Sequence, residues 1–495
     1  MSDGSIDVLV VGGGINGVGI AREAAGRGLS VVLVEKDDLA AHTSSASSKL
    51  VHGGLRYLEQ FDFKLVRESL AERERLLRSA PHIVEPLQFI LPLTAFSPPS
   101  WKVRAALLLY DRLGERRILP PSRPVRLKGP FGTGLRAGPA KGFAYWDCRV
   151  QDSRLVVLTA MSAAERTARI LTRTELIEAR REDDRWVATY LLEGSEPRTI
   201  GAKAIVNAAG PWTGRLFDRL SGYDHRPKIR LVKGSHIVIP RLYEGEHAFI
   251  LPSPDGRVVF AIPFERAFTL VGTTDVDCKG PVDAPAISDS EIDYLLAVIA
   301  RTFRRPVSSA DIVWTYSGIR ALEDDGTRDP SKVTRDYQLD LDANGSAPLL
   351  SVVGGKITTY RRLAEKAVDL LHTFFPAGRQ RMRDKPLPGG DIPRLDIKAS
   401  VRDLIADHPG LASELIDRLV RTYGTRARIV LSGTTSFDDL GEDFGAGLTA
   451  REVDYLVEHE WARTAEDVLF RRTKLGLHFS LADVERLTAY LGRTR

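Results

Sequence analysis

Residues 7–17 read Asp7-Val8-Leu9-Val10-Val11-Gly12-Gly13-Gly14-Ile15-Asn16-Gly17. The run 7–11 is apolar after its first residue, as a parallel strand buried on both faces requires. Gly12, Gly14 and Gly17 then stand at G-x-G-x-x-G spacing. Gly12 permits a tight turn, Gly14 lets the backbone approach a pyrophosphate, and Gly17 lets the next helix pack close to the strand. The N-terminus of that helix offers N–H groups and a partial positive charge to phosphates. A second apolar run, 30–34, ends at Glu35, where a carboxylate can hold ribose hydroxyls. An acid there repels a 2′-phosphate, so the unit favours FAD or NAD over NADP. An ordinary glycine-rich strand-to-helix turn is the bland alternative, and the flanking strands and the acid argue against it.

The chain around this unit has 495 residues, 43% hydrophobic and 27% charged. That is globular composition and enough length for two or three domains. Two cysteines, Cys148 and Cys278, make no disulfide framework and no metal-ligand pattern, so no metal is expected. The start shows no basic region followed by an apolar stretch, so no signal peptide is expected. No run approaches the roughly 18 apolar residues that span a bilayer. A net charge of +5 suits an anionic substrate or an anionic membrane surface, and nothing points to nucleic acid.

Further along, 61–80 has the pattern of a charged amphipathic helix. The segment 101–131 carries Lys102, Arg104, Arg112, Arg116, Arg117, Arg123, Arg126 and Lys128 against Asp111 and Glu115. It reads either as a solvated helix and loop or as a membrane patch, with Trp101, Leu107, Leu108, Leu109 and Tyr110 entering the interface. Strand-like runs recur at 186–192, 204–208, 235–239, 258–262 and 268–271. From about 393 the pattern is helical, as in 413–423 and 451–459. Two more glycine turns follow apolar runs: one ends in Ala208-Ala209-Gly210, the other runs 349–353 into Gly354-Gly355-Lys356-Ile357-Thr358 and a helix. The expected fold is an α/β FAD-binding Rossmann-like domain interleaved with a mainly antiparallel β-sheet substrate domain, plus a helical C-terminal domain. The expected bounds are 1–80, 150–225 and 315–375 for the first, 81–149 and 226–314 for the second, and 390–495 for the third.

Seven segments carry a closer resemblance: SSASSKLVHGGLRYLE (44–59), VKGSHIV (232–238), VGTTD (271–275), WTYSGIR (314–320), TRDY (334–337), GGKITTYR (354–361) and DLGEDFG (439–445). Almost end to end, the chain resembles the FAD-dependent glycerol-3-phosphate dehydrogenases of the D-amino-acid-oxidase-like superfamily. It departs at Ala321, where that family often has Pro, and at Phe264, where Trp is common. Neither change touches a charged group. The resemblance implies FAD, sn-glycerol 3-phosphate as donor, dihydroxyacetone phosphate as product and a membrane quinone as acceptor. It also implies a homodimer docked peripherally on the cytoplasmic face of the inner membrane.

Flavin oxidation of a secondary alcohol needs a base for the hydroxyl proton, and a phosphate dianion needs cations. The resemblance sets Arg56, Arg320, Arg335 and Lys356 around the substrate, with Tyr57 and Thr274 as further candidates to contact it; a capping role is the alternative for Thr274. Arg320 is the expected clamp, and His52 or His236 the expected proton acceptor. Interdomain ion pairs are the alternative for each arginine, and a hydrogen-bonded core residue for each histidine. The cofactor set is Gly12, Gly14, Asn16, Gly17, Glu35, Lys36, Ser44, Ser45, Ser48, Lys49, Gly210, Gly355, Lys356 and Thr358. Helix capping is the plain alternative for the serines. Rival readings are a glycerol-3-phosphate oxidase using O2, an amine or amino-acid oxidase on the same fold, and a flavin-containing binding protein without turnover.

Overall fold

The strand Ser2–Val11 lies inside a sheet because its side chains are apolar on both faces, and Val8, Leu9 and Val10 are fully buried. It pairs in parallel with Val31–Val34 on one side and Arg198–Asn207 on the other. The computed structural model describes residues 2–58, 62–114, 118–136, 140–223, 225–324, 326–327, 329–330, 333–343, 347–375, 378 and 382–493, with side chains omitted at 2–4 and 56. Among these, nine strands form the first sheet. Its parallel centre also takes in Arg169–Leu171 and Leu349–Gly354, and antiparallel strands flank it. The helix Ile15–Gly26 packs against Asp152–Ala164 and Tyr360–Leu371 over this sheet.

A second sheet of ten strands is antiparallel except where Ala248–Pro252 meets Val84–Pro92. Its longest pairing joins Ile229–Pro240 to Trp314–Glu323. The sequence reading starts the third piece of the FAD-binding part at 315, whereas hydrogen bonding puts 314–323 in the second sheet. The Ser-rich segment forms two short 3-10 turns, Thr43–Ser45 and Leu55–Leu58, around the strand Leu50–Val51, which belongs to the second sheet. The loop therefore crosses from one sheet to the other.

The helix expected at 61–80 spans Phe63–Ser79, and Asp62 caps it by accepting the Leu65 N–H at 3.0 Å. The basic segment begins with the helix Ser100–Leu113. Trp101 is 70% exposed and Leu109 38%, but Leu107 and Tyr110 are fully buried, so of the side chains that the membrane reading sends into the interface these two face inward. They lie on the inner face of the helix, packed with Val66, Leu70 and Tyr145. Arg116 and Arg117 lie outside the described residues.

Beyond residue 392 the chain is helical, with a core of Ile416, Leu419, Tyr423, Val453, Leu456 and Leu487. The ribbon Asp443–Gly445 with Leu448–Thr449 is a β element that the helical reading omits. Buried ion pairs join this region to the first sheet's layer: Arg472 and Arg471 hold Asp38, and Arg154 holds Glu460.

Candidate functional site

The three glycine turns converge. Ala208 N–H donates to Val11 O at 2.9 Å, and Asn16 Nδ2 donates to Gly354 O at 3.2 Å. Gly12 has φ +115°, and a Cβ on Gly17 would collide with the Gly12 carbonyl, so neither position accepts a side chain. Together the turns open one end of a cavity of about 1020 Å³ lined by Gly12, Gly14, Asn16, Glu35, Gly210 and Gly355, among others. That is at or above the upper end of the roughly 300–1,000 Å³ usual for ligand pockets, so a large cofactor and a small substrate fit together. Gly17 lies behind this wall and acts in helix packing.

Glu35 is 8% exposed, and its carboxylate accepts the N–H groups of Gly13 at 2.6 Å and Asp37 at 2.8 Å. Burial pushes its pKa up, against those two amides. Lys36 lines the same end, between Asp37, Asp283 and the face of Trp212. Ser44 Oγ accepts the Ile15 N–H at 3.0 Å, so this serine caps the dinucleotide helix and also lines the cavity.

Other members of the expected cofactor set turn away. Lys49 is 5% exposed, and its Nζ lies 3.0 Å from both carboxylate oxygens of Asp152, a buried pair outside the lining. Ser45 Oγ donates to His42 O and faces a neighbouring cleft. Ser48 reaches the lining, yet its hydroxyl lies 2.9 Å from His236 Nε2.

The cationic end is built from both sheets. Arg320 Nη1 and Arg335 Nη2 donate to the same oxygen of Asp275, at 3.0 and 2.9 Å. Lys356 Nζ stands 3.6 Å from the centre of the Tyr57 ring and has no hydrogen-bond acceptor among the described residues. Tyr57 is within electrostatic reach of all three cations, which groups them. Burial pushes the Lys356 and Arg320 pKa values down, and Arg335 adds to the effect on Arg320. The Arg56 side chain lies outside the described residues.

The two histidines separate cleanly. His52 lines the cavity, and its backbone N–H donates to Thr358 Oγ1 at 3.3 Å. Burial lowers its pKa to about 4, with Asp147 opposing and Lys356 assisting, so the ring is neutral at pH 7. His236 is 1% exposed and stacks on Tyr316 with centroids 4.8 Å apart, behind the wall. Thr274 is also structural: its hydroxyl donates to Glu291 at 2.7 Å and accepts the Ser235 N–H at 2.9 Å.

Comparison with known proteins fits this geometry. Residues 7–361 match the family model described as FAD dependent oxidoreductase, and 381–491 match the C-terminal domain of alpha-glycerophosphate oxidase. The chain is 52% identical to a glycerol-3-phosphate dehydrogenase of Pseudomonas aeruginosa, over 98% of this chain and 94% of that one. It is 46% identical to the aerobic glycerol-3-phosphate dehydrogenase of Escherichia coli K12, over 98% and 97%. The chain belongs to the FAD-dependent glycerol-3-phosphate dehydrogenase family. A D-erythritol 1-phosphate dehydrogenase of Brucella abortus is also 48% identical, over 96% of each chain. Among solved structures, the glycerol-3-phosphate dehydrogenase of Bacillus halodurans complexed with FAD superposes with TM-score 0.77 at 26% identity, over 99% of this chain and 90% of that one.

The family's cofactor suits the residues present. Asn16 Oδ1 is buried without a hydrogen-bond partner beside the bare turn at Gly355, and the glycine-lined end leaves backbone open to a pyrophosphate. Gly12, Gly14, Glu35 and Ser44 would hold the dinucleotide, and Gly355, Lys356 and Thr358 the end nearest the cations. When bound, FAD supplies the electron-pair acceptor for an alcohol oxidation.

Two acids escaped the sequence reading. Asp275 joins the arginines, although it closes the quoted VGTTD segment. Asp147 lies in the otherwise mostly apolar strand Lys141–Val150 and forms part of the cavity wall. An acid inside a mostly apolar strand is the signal in the sequence that points to it.

Proposed function

We propose that this FAD-dependent enzyme oxidises sn-glycerol 3-phosphate to dihydroxyacetone phosphate. The observation that carries the reading is the surplus of charge at the cavity: Arg320 and Arg335 share one carboxylate, Asp275, and Lys356 rests on the Tyr57 ring with no acceptor among the described residues. A phosphate dianion restores that balance, and guanidinium groups bind it with directional, charge-assisted hydrogen bonds. An amino-acid oxidase needs an arginine for a carboxylate but no such cluster. His52, held neutral beside the same cations, takes the proton from the donor hydroxyl, and Arg320 steadies the developing negative charge on that oxygen.

The reading extends to a membrane quinone as acceptor and to docking on the cytoplasmic face of the inner membrane. Support for docking comes from Phe96, Trp101, Leu109 and Ile118, all at least 38% exposed, close in sequence to Lys102, Arg104 and Arg112. No helix among the described residues is long and apolar enough to cross a membrane. A homodimer rests on the family resemblance alone.

The 48% identity to a D-erythritol 1-phosphate dehydrogenase makes a four-carbon polyol phosphate the second reading for the donor. Anaerobic addition of each donor to the purified yellow protein decides between them. The three-carbon donor should bleach the flavin faster at equal concentration. Faster bleaching by D-erythritol 1-phosphate replaces the donor, and no bleaching by either overturns the reading. Reoxidation of the bleached protein by a short-chain quinone, set against O2, tests the acceptor.

A further inference from the structure

A buried carboxylate lies beneath the turn that carries His52. The strand Leu50–Val51 runs antiparallel to Lys141–Val150, with Val51 opposite Cys148. The next residues therefore bring the His52–Gly53 peptide to Asp147. Gly53 N–H lies 2.9 Å from the Tyr110 hydroxyl oxygen and 3.3 Å from Asp147 Oδ1. The Tyr110 hydroxyl in turn donates to Asp147, with both carboxylate oxygens at 2.8 Å. Arg73 Nη1 completes the set, 2.6 Å from Asp147 Oδ1 and 3.1 Å from Trp146 O. Arg73 and Tyr110 are fully buried and Asp147 is 1% exposed, yet Asp147 reaches the cavity wall that His52 also lines.

Stability alone is a poor reason for such an arrangement. Replacing a buried ion pair with packed apolar residues is often neutral or stabilising. Its position offers a better one. The charged groups that bear on the His52 ring are Asp147 from the strand, Arg73 from the helix Phe63–Ser79, and Lys356 from the turn after Leu349–Gly354. Asp147 is the anion among them. A ring that accepts a proton becomes a cation facing two others, and the carboxylate offsets them at that moment. The same carboxylate, with Tyr110, pins the backbone on which the ring is mounted.

We propose that Asp147 is a positioning residue for His52. It holds the turn through Gly53 N–H and Tyr110, and its charge stabilises the imidazolium formed as the donor O–H breaks and an N–H bond forms on the ring. The proposal rests on the reading of His52 as the base.

The test uses the holoenzyme, with anaerobic stopped-flow bleaching by sn-glycerol 3-phosphate, FAD content and thermal melting measured together. Asp147→Asn alone takes the 2.6 Å carboxylate partner from Arg73, leaves that buried cation only the longer 3.4 Å ion pair with Glu74 among the described residues, and risks misfolding. The informative variant is Asp147→Asn with Arg73→Gln, which removes both charges. It should keep the wild-type FAD content and half-saturating donor concentration, within threefold, while the limiting bleaching rate falls at least tenfold. Tyr110→Phe, which keeps both charges, should slow that rate several-fold with the same unchanged half-saturation.

A charge-balanced double variant that bleaches at the wild-type rate overturns the proposal. If that variant does not fold, Tyr110→Phe at the wild-type rate overturns it instead. His52→Asn separates the two levels of the argument: bleaching at the wild-type rate in that variant sinks the base assignment itself, whatever Asp147 does.

Discussion

Arginines crowd two regions of this molecule, and the carboxylates around them are supplied differently. Where the helical C-terminal region meets the first sheet's layer, Asp38 accepts Arg471 Nε at 2.7 Å and Arg472 at 2.7 and 2.8 Å. Asp467 takes Arg173 at 2.6 Å and also Arg471, and Glu460 takes Arg154. At the cavity, by contrast, among the described residues Asp275 alone serves Arg320 and Arg335, while Lys356 rests on an aromatic face. The electrostatics follow. Burial works against the charge on Arg471, but Asp38 and Asp467 outweigh it and its pKa is pushed up. At the cavity the one carboxylate divides the pair: burial, with Arg335 adding to it, prevails at Arg320 and the pKa goes down, whereas at Arg335 burial is outweighed by Asp275 and Tyr57 and the pKa goes up. Charges balanced within the chain hold the chain together. Charges left in surplus mark the end of the cavity where the proposed phosphate donor would bind.

The largest effect should come from the surplus side. Arg320→Met should lower kcat/KM for sn-glycerol 3-phosphate by about 10²–10³, the size of losing a desolvated charged contact of about 3–4 kcal/mol. The melting temperature should move little, since Asp275 keeps Arg335. Steady-state kinetics with purified enzyme check this, and a loss below threefold would mean that the surplus does not mark the ligand. The balanced side should answer the other way. Asp38→Asn leaves Arg471 and Arg472 short of their shared partner and should cost about 3–5 kcal/mol of stability. Enzyme that survives should keep its KM. Denaturant titration beside kinetics reads both quantities, and a raised KM with an unchanged melt would erase the distinction.

The same contrast explains what was legible from sequence. Val8 to Val11, Gly12, Gly14 and Glu35 could be read because strand burial, turn geometry and the acid that follows are local. The helix expected at 413–423 matches Ser413–Tyr423 because its apolar period is local as well. Lys49, Thr274 and His236 were misplaced for the opposite reason. What each faces is set by Asp152, Glu291 and Ser48, which are 103, 17 and 188 positions away. A basic residue beside a Ser-rich loop looks the same in sequence whether or not an aspartate waits across the fold. Asp275 was missed likewise, since its arginines lie 45 and 60 positions further on.

Acid should separate the regions next. Burial lowers the pKa of His52 and His247 to about 4 and of His82 to about 3, and puts His236 well below its usual value. These rings bind fewer protons folded than unfolded, so their neutral burial is fully accommodated above about pH 6.5. Stability then declines as pH falls from there towards 4. The interface carboxylate Asp467 is held below the usual range by Arg471, the amide of Arg463 and Arg173 against burial, so its pairs outlast that decline. Melting scans from pH 7.5 to 4.5 should fall steadily, and a flat profile would show that the histidines do not behave as buried neutral groups.

The smallest effect lies at the seam between the two regions. Lys474 is 6% exposed, and burial, with Lys49 nearby, lowers its pKa to about 7. Unlike Arg471, it has no carboxylate at ion-pair distance among the described residues, and its ammonium donates to Phe470 O. The unfolded chain holds that proton up to a pH of about 10.4, so the buried lysine destabilises the fold most below pH 7 and progressively less as pH rises. Lys474→Met should therefore raise the melting temperature by a few degrees at pH 7, on the order of 1 kcal/mol. The gain should shrink towards pH 9. A gain that stays constant with pH would trace to packing rather than charge, and a loss would show that this cation, though unpaired, belongs with the balanced set.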